Sequence, residues 1–119
     1  KGENKRDWLY VGDCVRAIDL IWERAVPGEV VHLAAGCEMS NLELTRSILK
    51  EFGKTDAMIH TVADRPAHDF RYSLDTSKLA GLGFRLQPRF QERLRETIHW
   101  YRDHRAWWQP LKTDAFTLK

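Results

Sequence analysis

The chain has 119 residues, of which 43% are hydrophobic and 30% charged, and it carries a formal net charge of +2. That length supports one core burying about two-thirds of the unfolded surface, and that charge is too small to point to nucleic acid or a membrane surface. No apolar run nears the roughly 18 residues a bilayer span needs, and the charged start lacks the apolar stretch of a signal peptide.

Trp8 to Val11, aromatic and β-branched, reads as a short strand. Asp13 is placed to cap a helix over Asp13 to Ala25. Cys14, Ile18, Ile21 and Ala25 recur there at helical spacing, with Val15 and Trp22 widening the apolar face. Pro27-Gly28 stops it. Val30 to Ala34 reads as a buried strand interrupted by His32, a structural histidine with no second ligand at metal spacing. Ser40 and Glu43 have capping-box spacing ahead of Leu44, Ile48, Leu49 and Phe52, and Gly53 closes that helix. Met58 to Val62 is a third strand candidate, and Tyr72 to Leu74 a short extended piece. Asp75 caps a short helix ending near Gly83. Phe90, Leu94, Thr97, Ile98 and Tyr101 mark the last helix. Trp107-Trp108-Gln109-Pro110 ends regular structure, leaving 105–119 a partly irregular tail. The order predicts a single mixed domain over 1–119, α/β or α+β, of helices and short strands.

Cys14 and Cys37 are too few and too separated for a disulfide scaffold or a metal knuckle, and read as reduced thiols of a cytoplasmic protein. The residues that carry chemistry lie between the third strand candidate and the extended piece, in Asp64-Arg65-Pro66-Ala67-His68-Asp69-Phe70-Arg71-Tyr72. Arginine offers a planar fork of donors that suits phosphate and carboxylate oxygens. Pro66 pushes Arg65 toward extended backbone and so presents its side chain. The stretch reads either as an anion-binding loop at a strand end or as a solvated polar loop.

This loop resembles the arginine- and histidine-bearing substrate loop of the dTDP-glucose 4,6-dehydratases, in the extended short-chain dehydrogenase/reductase superfamily. Arg6-Asp7-Trp8-Leu9-Tyr10-Val11, Pro27-Gly28-Glu29-Val30, Asn41-Leu42-Glu43, Asp75-Thr76-Ser77-Lys78, Leu82-Gly83-Phe84 and 94–101 follow that family's pattern in order. The likeness runs from about Lys5 to Leu111. The first of these segments and the Arg65 loop are its specific parts. It implies the C-terminal substrate-binding portion only, a fragment without the Rossmann nucleotide-binding domain. The family's NAD is held by a Gly-rich turn, and no G-x-G-x-x-G occurs here. The family's Tyr-x-x-x-Lys pair is absent too, since Tyr10, Tyr72 and Tyr101 are followed four residues on by Cys14, Thr76 and Arg105.

The resemblance implies a nucleoside-diphosphate-sugar ligand, with Arg6, Asn41, Arg65 and His68 at positions that contact the nucleotide or its diphosphate. A helix start at Asn41 would add free amides and the helix dipole. The plainer alternative pairs Arg6 with Asp7 or Asp64, and Arg65 with Asp69. Gly12 stands in place of the family's acidic residue, 33–37 in place of an asparagine-bearing strand end, Ala67 in place of a glycine and Phe70 in place of an arginine. These departures put the particular sugar nucleotide in doubt. No catalytic residue, bound cofactor or metal is expected in this chain; NAD would belong to the intact enzyme. The expected partners are the nucleotide sugar and either the missing Rossmann domain or a second copy against the Asp13 to Ala25 helix. Three functions stay open: the binding domain of a dehydratase active only with its other part, a stand-alone nucleotide-sugar-binding module, and an oligomerisation or partner scaffold.

Overall fold

The computed structural model describes residues 2–64, 66–86 and 89–112. Strand β1 (Lys5–Asp7) leads into helix α1 (Val11–Arg24). Strand β2 (Glu38–Ser40) runs directly into α2 (Asn41–Glu51), and a 3-10 turn follows at Asp56–Met58. Three more helices follow: α3 (Ser77–Gly81), α4 (Phe90–Asp103) and α5 (Arg105–Trp108), the last running into a 3-10 turn at Gln109–Leu111. Helices with short strands are the mixed class expected. The sheet among the described residues is antiparallel, β1 against β2, with Lys5 opposite Ser40, Arg6 opposite Met39 and Asp7 opposite Glu38. Residues 105–111 are helical, and 113–119 lie outside the described residues.

The helices form where local chemistry favours them. Ser40 Oγ accepts from the Glu43 amide at 3.1 Å and Glu43 Oε2 accepts from the Ser40 amide at 2.7 Å, the reciprocal box the sequence predicts. Gly53 sits at φ +62°, the left-handed stop a side chain resists. The Ser77 amide donates to Asp75 Oδ1 at 2.8 Å, turning the chain into α3.

The expected strands fare differently. Strand pairing ends at Asp7, just short of the expected Trp8 start, because the ladder is fixed by backbone partners on β2. Trp8 still donates its amide to Cys37 O and its indole N–H to Met39 O. Helix α1 then begins at Val11, ahead of Asp13, which sits in its first turn. The Val30 to Ala34 and Met58 to Val62 stretches form no strand. A strand needs a neighbour for its ladder, and none lies beside either stretch among the described residues. Val30 and Val62 are exposed instead.

The core is thin. Ala17, Leu79 and Phe84 are buried together, with Leu20, Ile21, Val31, Leu33 and Leu86 packed half-buried around them. Helix α1 therefore buries one edge of its wide apolar face and leaves Val11, Val15, Ile18 and Trp22 in solvent, Trp22 at 88% exposure. A radius of gyration of 17.1 Å, against about 13.5 Å for a compact domain of this length, fits so small a core.

Candidate functional site

Strand β1 is the middle of a three-ribbon arrangement. One edge carries β2. On the other edge Lys5 bridges Arg71, the Lys5 amide donates to Phe70 O at 2.8 Å and the Tyr72 amide donates to Lys5 O at 3.2 Å. The segment 68–73 thus lies along β1 as a strap. Asn4, buried, donates its side-chain amide to Asp69 O.

Strand alternation sends Arg6 to the opposite face from its neighbours Lys5 and Asp7. The Arg6 guanidinium carbon lies 4.1 Å from the centre of the Tyr72 ring. Its Nη2 donates to Asp69 O at 3.0 Å and meets His68 Nε2 at 2.8 Å; its Nη1 donates to Lys5 O at 2.6 Å and to Phe70 O at 3.4 Å. Arginine has no acceptor, so His68 Nε2 accepts and the ring proton sits on Nδ1. Chain positions 62 residues apart are brought together by one cation. Asp7 places Oδ1 2.6 Å from the Ala35 amide, holding the strand's exit toward the core.

Asn41 follows Ser40, which pairs with Lys5, so it lies at the same end of β1. The helix-terminus argument for Asn41 does not survive the geometry. The Asn41 amide donates to Asn4 O, the Leu42 amide to Gly2 O and the Glu43 amide to Ser40 Oγ. The first amides of α2 are spoken for, and the Glu43 carboxylate already answers the helix dipole. Only the Asn41 side chain is left to offer a ligand. Arg65, the fourth expected contact, lies outside the described residues.

The other face of this small sheet holds a cluster that sequence reasoning missed. Arg71 meets Glu38 bidentately, Nε to Oε2 at 2.6 Å and Nη2 to Oε1 at 2.8 Å, and Ser73 Oγ donates to Glu38 Oε1 at 2.6 Å. The Arg71 fork, with the Ser73 hydroxyl behind it, holds the Glu38 carboxyl down at about 2. Arg71 belongs to the charged loop; nothing near Glu38 in sequence announces its partner.

An apolar cavity of about 380 Å³ opens elsewhere, among residues such as Trp8, Tyr10, Leu44, Ile48, Leu94 and Arg93. None of Arg6, Asn41 and His68 lines it. At its rim the Arg93 guanidinium covers the Tyr10 ring at 4.8 Å, donates to Glu96, and faces buried Asp13 across 3.9 Å. Burial, with the Glu96 hydrogen bond behind it, pushes the Tyr10 phenol up, the wrong direction for a general base. Burial also pushes the Cys37 thiol up, away from a reactive thiolate. Among the described residues no group of three His, Cys, Asp or Glu side chains is placed to hold a metal ion, and no helix is long and apolar enough to cross a membrane.

A family model described as GDP-mannose 4,6 dehydratase matches residues 1–97. The dTDP-glucose 4,6-dehydratase of Streptomyces niveus is 51% identical over 114 residues, 95% of this chain and 34% of that protein. Among solved structures, the DesIV double mutant, a dTDP-glucose 4,6-dehydratase from Streptomyces venezuelae with NAD bound, superposes with a TM-score of 0.87 at 42% identity, covering 94% of this chain and 35% of its own. A UDP-N-acetylglucosamine 4-epimerase from Methanobrevibacter ruminantium M1, in complex with UDP-N-acetylmuramic acid, superposes at 0.77 with 29% identity over 87% of this chain and 33% of its own. The chain therefore spans about a third of the length of the curated relatives it matches.

The described strand-to-helix turns do not fit NAD. Its pyrophosphate needs a glycine turn that lets backbone approach closely. Here β2 enters α2 through Ser40 with the first amides taken. Gly12 lies inside α1, where an added Cβ would meet the Tyr10 ring at 2.6 Å. On the family match and the fold together, the chain belongs to the GDP-mannose 4,6 dehydratase family of extended short-chain dehydrogenase/reductases and is similar, over about a third of their length, to the dTDP-glucose 4,6-dehydratases.

Proposed function

We propose that this chain is the sugar-nucleotide-binding part of a dTDP-glucose 4,6-dehydratase-like enzyme, and that Arg6, His68, Asn41 and Arg65 take the diphosphate of its substrate. The observation that carries the reading is the Arg6–His68 contact at 2.8 Å, which fixes a cation and an imidazole on one face of β1. Stacking on Tyr72 sets the plane of the guanidinium. The loose 3.4 Å contact to Phe70 O is the edge a phosphate oxygen takes over. His68, its proton on Nδ1, accepts from Arg6 and steadies the fork. The Asn41 amide side chain reaches the ligand from the head of α2.

The chain alone does not dehydrate a sugar. Hydride transfer is the nicotinamide's chemistry, and the described strand-to-helix turns offer no glycine cradle for it, while the Tyr10 phenol is pushed away from the activated range. The exposed Val11, Val15, Ile18 and Trp22 stripe is the docking face for the NAD-binding polypeptide of the same enzyme. In its absence a second copy covers the stripe, which is the oligomerisation reading of the same observation. The free thiols Cys14 and Cys37 suit a cytoplasmic enzyme.

Titration of the chain with dTDP, UDP, GDP and inorganic pyrophosphate tests the reading. Saturable nucleoside-diphosphate binding that weakens as salt rises supports it, as does its loss in the Arg6→Ala, Arg65→Ala double variant. Equal dTDP binding by parent and double variant sinks it. So does formation of a 4-keto-6-deoxy sugar by the purified chain, as regards catalysis.

A further inference from the structure

The ribbon order β2, β1, strap leaves the two outer ribbons without backbone bonds to each other. Among the described residues the Glu38 side chain joins them. Glu38 stands on β2 opposite Asp7, and its carboxylate reaches over the middle strand to the Arg71 fork and the Ser73 hydroxyl on the strap. Lys5, which pairs with Ser40 on one side and bridges Arg71 on the other, lies under this crossing. The face matters. Lys5, Asp7, Glu38 and Arg71 occupy register positions on one face, whereas Arg6 and Tyr72, each one residue along, stack on the other. Glu38 is thus separated by the thickness of the sheet from the cation it helps to place.

We propose that Glu38 is a positioning residue for the diphosphate site, acting through Arg71 to hold the 68–73 strap in register on β1. This rests on the diphosphate reading of Arg6 and His68 given above. The strap carries His68, the Asp69 and Phe70 carbonyls that orient Arg6, and the Tyr72 ring beneath it. Among the described residues two backbone bonds, from the Lys5 and Tyr72 amides, fasten it to β1; beside them stand the Arg6 contacts themselves and a side-chain bond from Asn4 that is long at 3.4 Å. A bidentate pair with a hydroxyl bonded to the same carboxylate fixes both distance and plane, which a lone ion pair does not. Slippage of the strap by one residue would exchange its faces, turning Tyr72 away from Arg6.

The test uses the full chain and dTDP as the probe. In Glu38→Gln, dTDP affinity is expected to fall on the order of fivefold, the scale of a good exposed pair. The His68 ring signals, assigned with a His68→Gln variant, should shift before any ligand is added. The charge-swapped Glu38→Arg, Arg71→Glu pair should restore both. A purely structural role would leave the His68 signals unmoved once the variant is shown to be folded by its tryptophan fluorescence. Unchanged dTDP affinity with unchanged His68 signals in Glu38→Gln overturns the proposal, and so does failure of the swapped pair to restore either. If the parent chain binds no dTDP, the diphosphate reading itself has failed. The clamp is then judged by amide exchange at Lys5 and Tyr72, which should quicken in Glu38→Gln and recover in the swapped pair.

Discussion

Ser40 ends β2 and caps α2 in one residue, so its replacement by alanine reports on the whole junction that carries Asn41. In the parent, Ser40 Oγ accepts from the Glu43 amide at 3.1 Å and donates to Glu43 Oε2 at 2.8 Å, while the Ser40 amide donates to the same Oε2 at 2.7 Å. Ser40→Ala orphans one helix amide and removes one of the two bonds to the carboxylate. The expected loss is about 1 kcal/mol, within the roughly 0.5–2 kcal/mol range for caps. With a urea slope of about 1.5 kcal/mol per molar, that is a fall of roughly 0.7 M in the unfolding midpoint. Tryptophan fluorescence reads it with no added label. Because the two side chains bond each other, Ser40→Ala and Glu43→Ala should cost less together than the sum of the single changes. The cap also has a pH signature. Glu43 is held below the ordinary carboxylate range, first by the Ser40 amide and then by its hydroxyl. Its contribution is therefore full above the unfolded value and lost as pH falls through the folded one, so parent and Glu43→Gln midpoints should converge in acid. A Ser40→Ala midpoint equal to the parent's, or strictly additive single and double variants, would refute the reciprocal cap.

Leu79 is the largest fully buried side chain of a thin core, so Leu79→Ala should cost about 2–5 kcal/mol and leave much of the chain unfolded by circular dichroism at room temperature. Ala67, just ahead of the strap, holds φ 54°, where a Cβ costs about 1–2 kcal/mol; Ala67→Gly should raise the urea midpoint slightly, and a lowered midpoint would show the strain is not there. The Glu38 carboxyl is held at about 2, so the difference in urea midpoint between parent and Glu38→Gln should be constant above pH 5 and vanish as pH falls from about 4.5 toward 2. A difference that instead grows in acid would show that Arg71 is not the partner.

What the sequence made legible was local. The Ser40–Glu43 spacing, Gly53 and Asp75 each act within four residues; the first two appear in the structure as read, while Asp75 bonds the Ser77 amide from one residue before the cap position at Thr76. The strands were less legible because a ladder is a relation between segments. Val30 to Ala34 has the β-branched composition of a buried strand, yet composition cannot supply a neighbour, and none lies beside it among the described residues. The wide apolar face of α1 was visible from Val15, Ile18 and Trp22, and their exposure follows from the same cause: the sequence shows that a face is apolar, while only the fold shows what is left to cover it.

The candidate site divides along the same line. Residue type and family pattern pointed to Arg6 and His68, and the strap bonds that join them are backbone bonds no motif encodes. A helix start at Asn41 implies free amides, yet those amides are taken because the chain before Lys5 runs back across them, with Gly2 O and Asn4 O as the acceptors. Glu38 has no local signature because its importance lies in reaching over a strand to a residue 33 positions away. The consequence for the site is specific. Its cation is not a loose side chain awaiting an anion, but one already held by carbonyl oxygens and an imidazole. With both Nη groups engaged, a diphosphate taking the Arg6 fork bidentately would have to displace at least one of those contacts. Such exchange favours a ligand whose oxygens match the fork in geometry and exceed a carbonyl in charge, which a phosphate does and a neutral sugar hydroxyl does not.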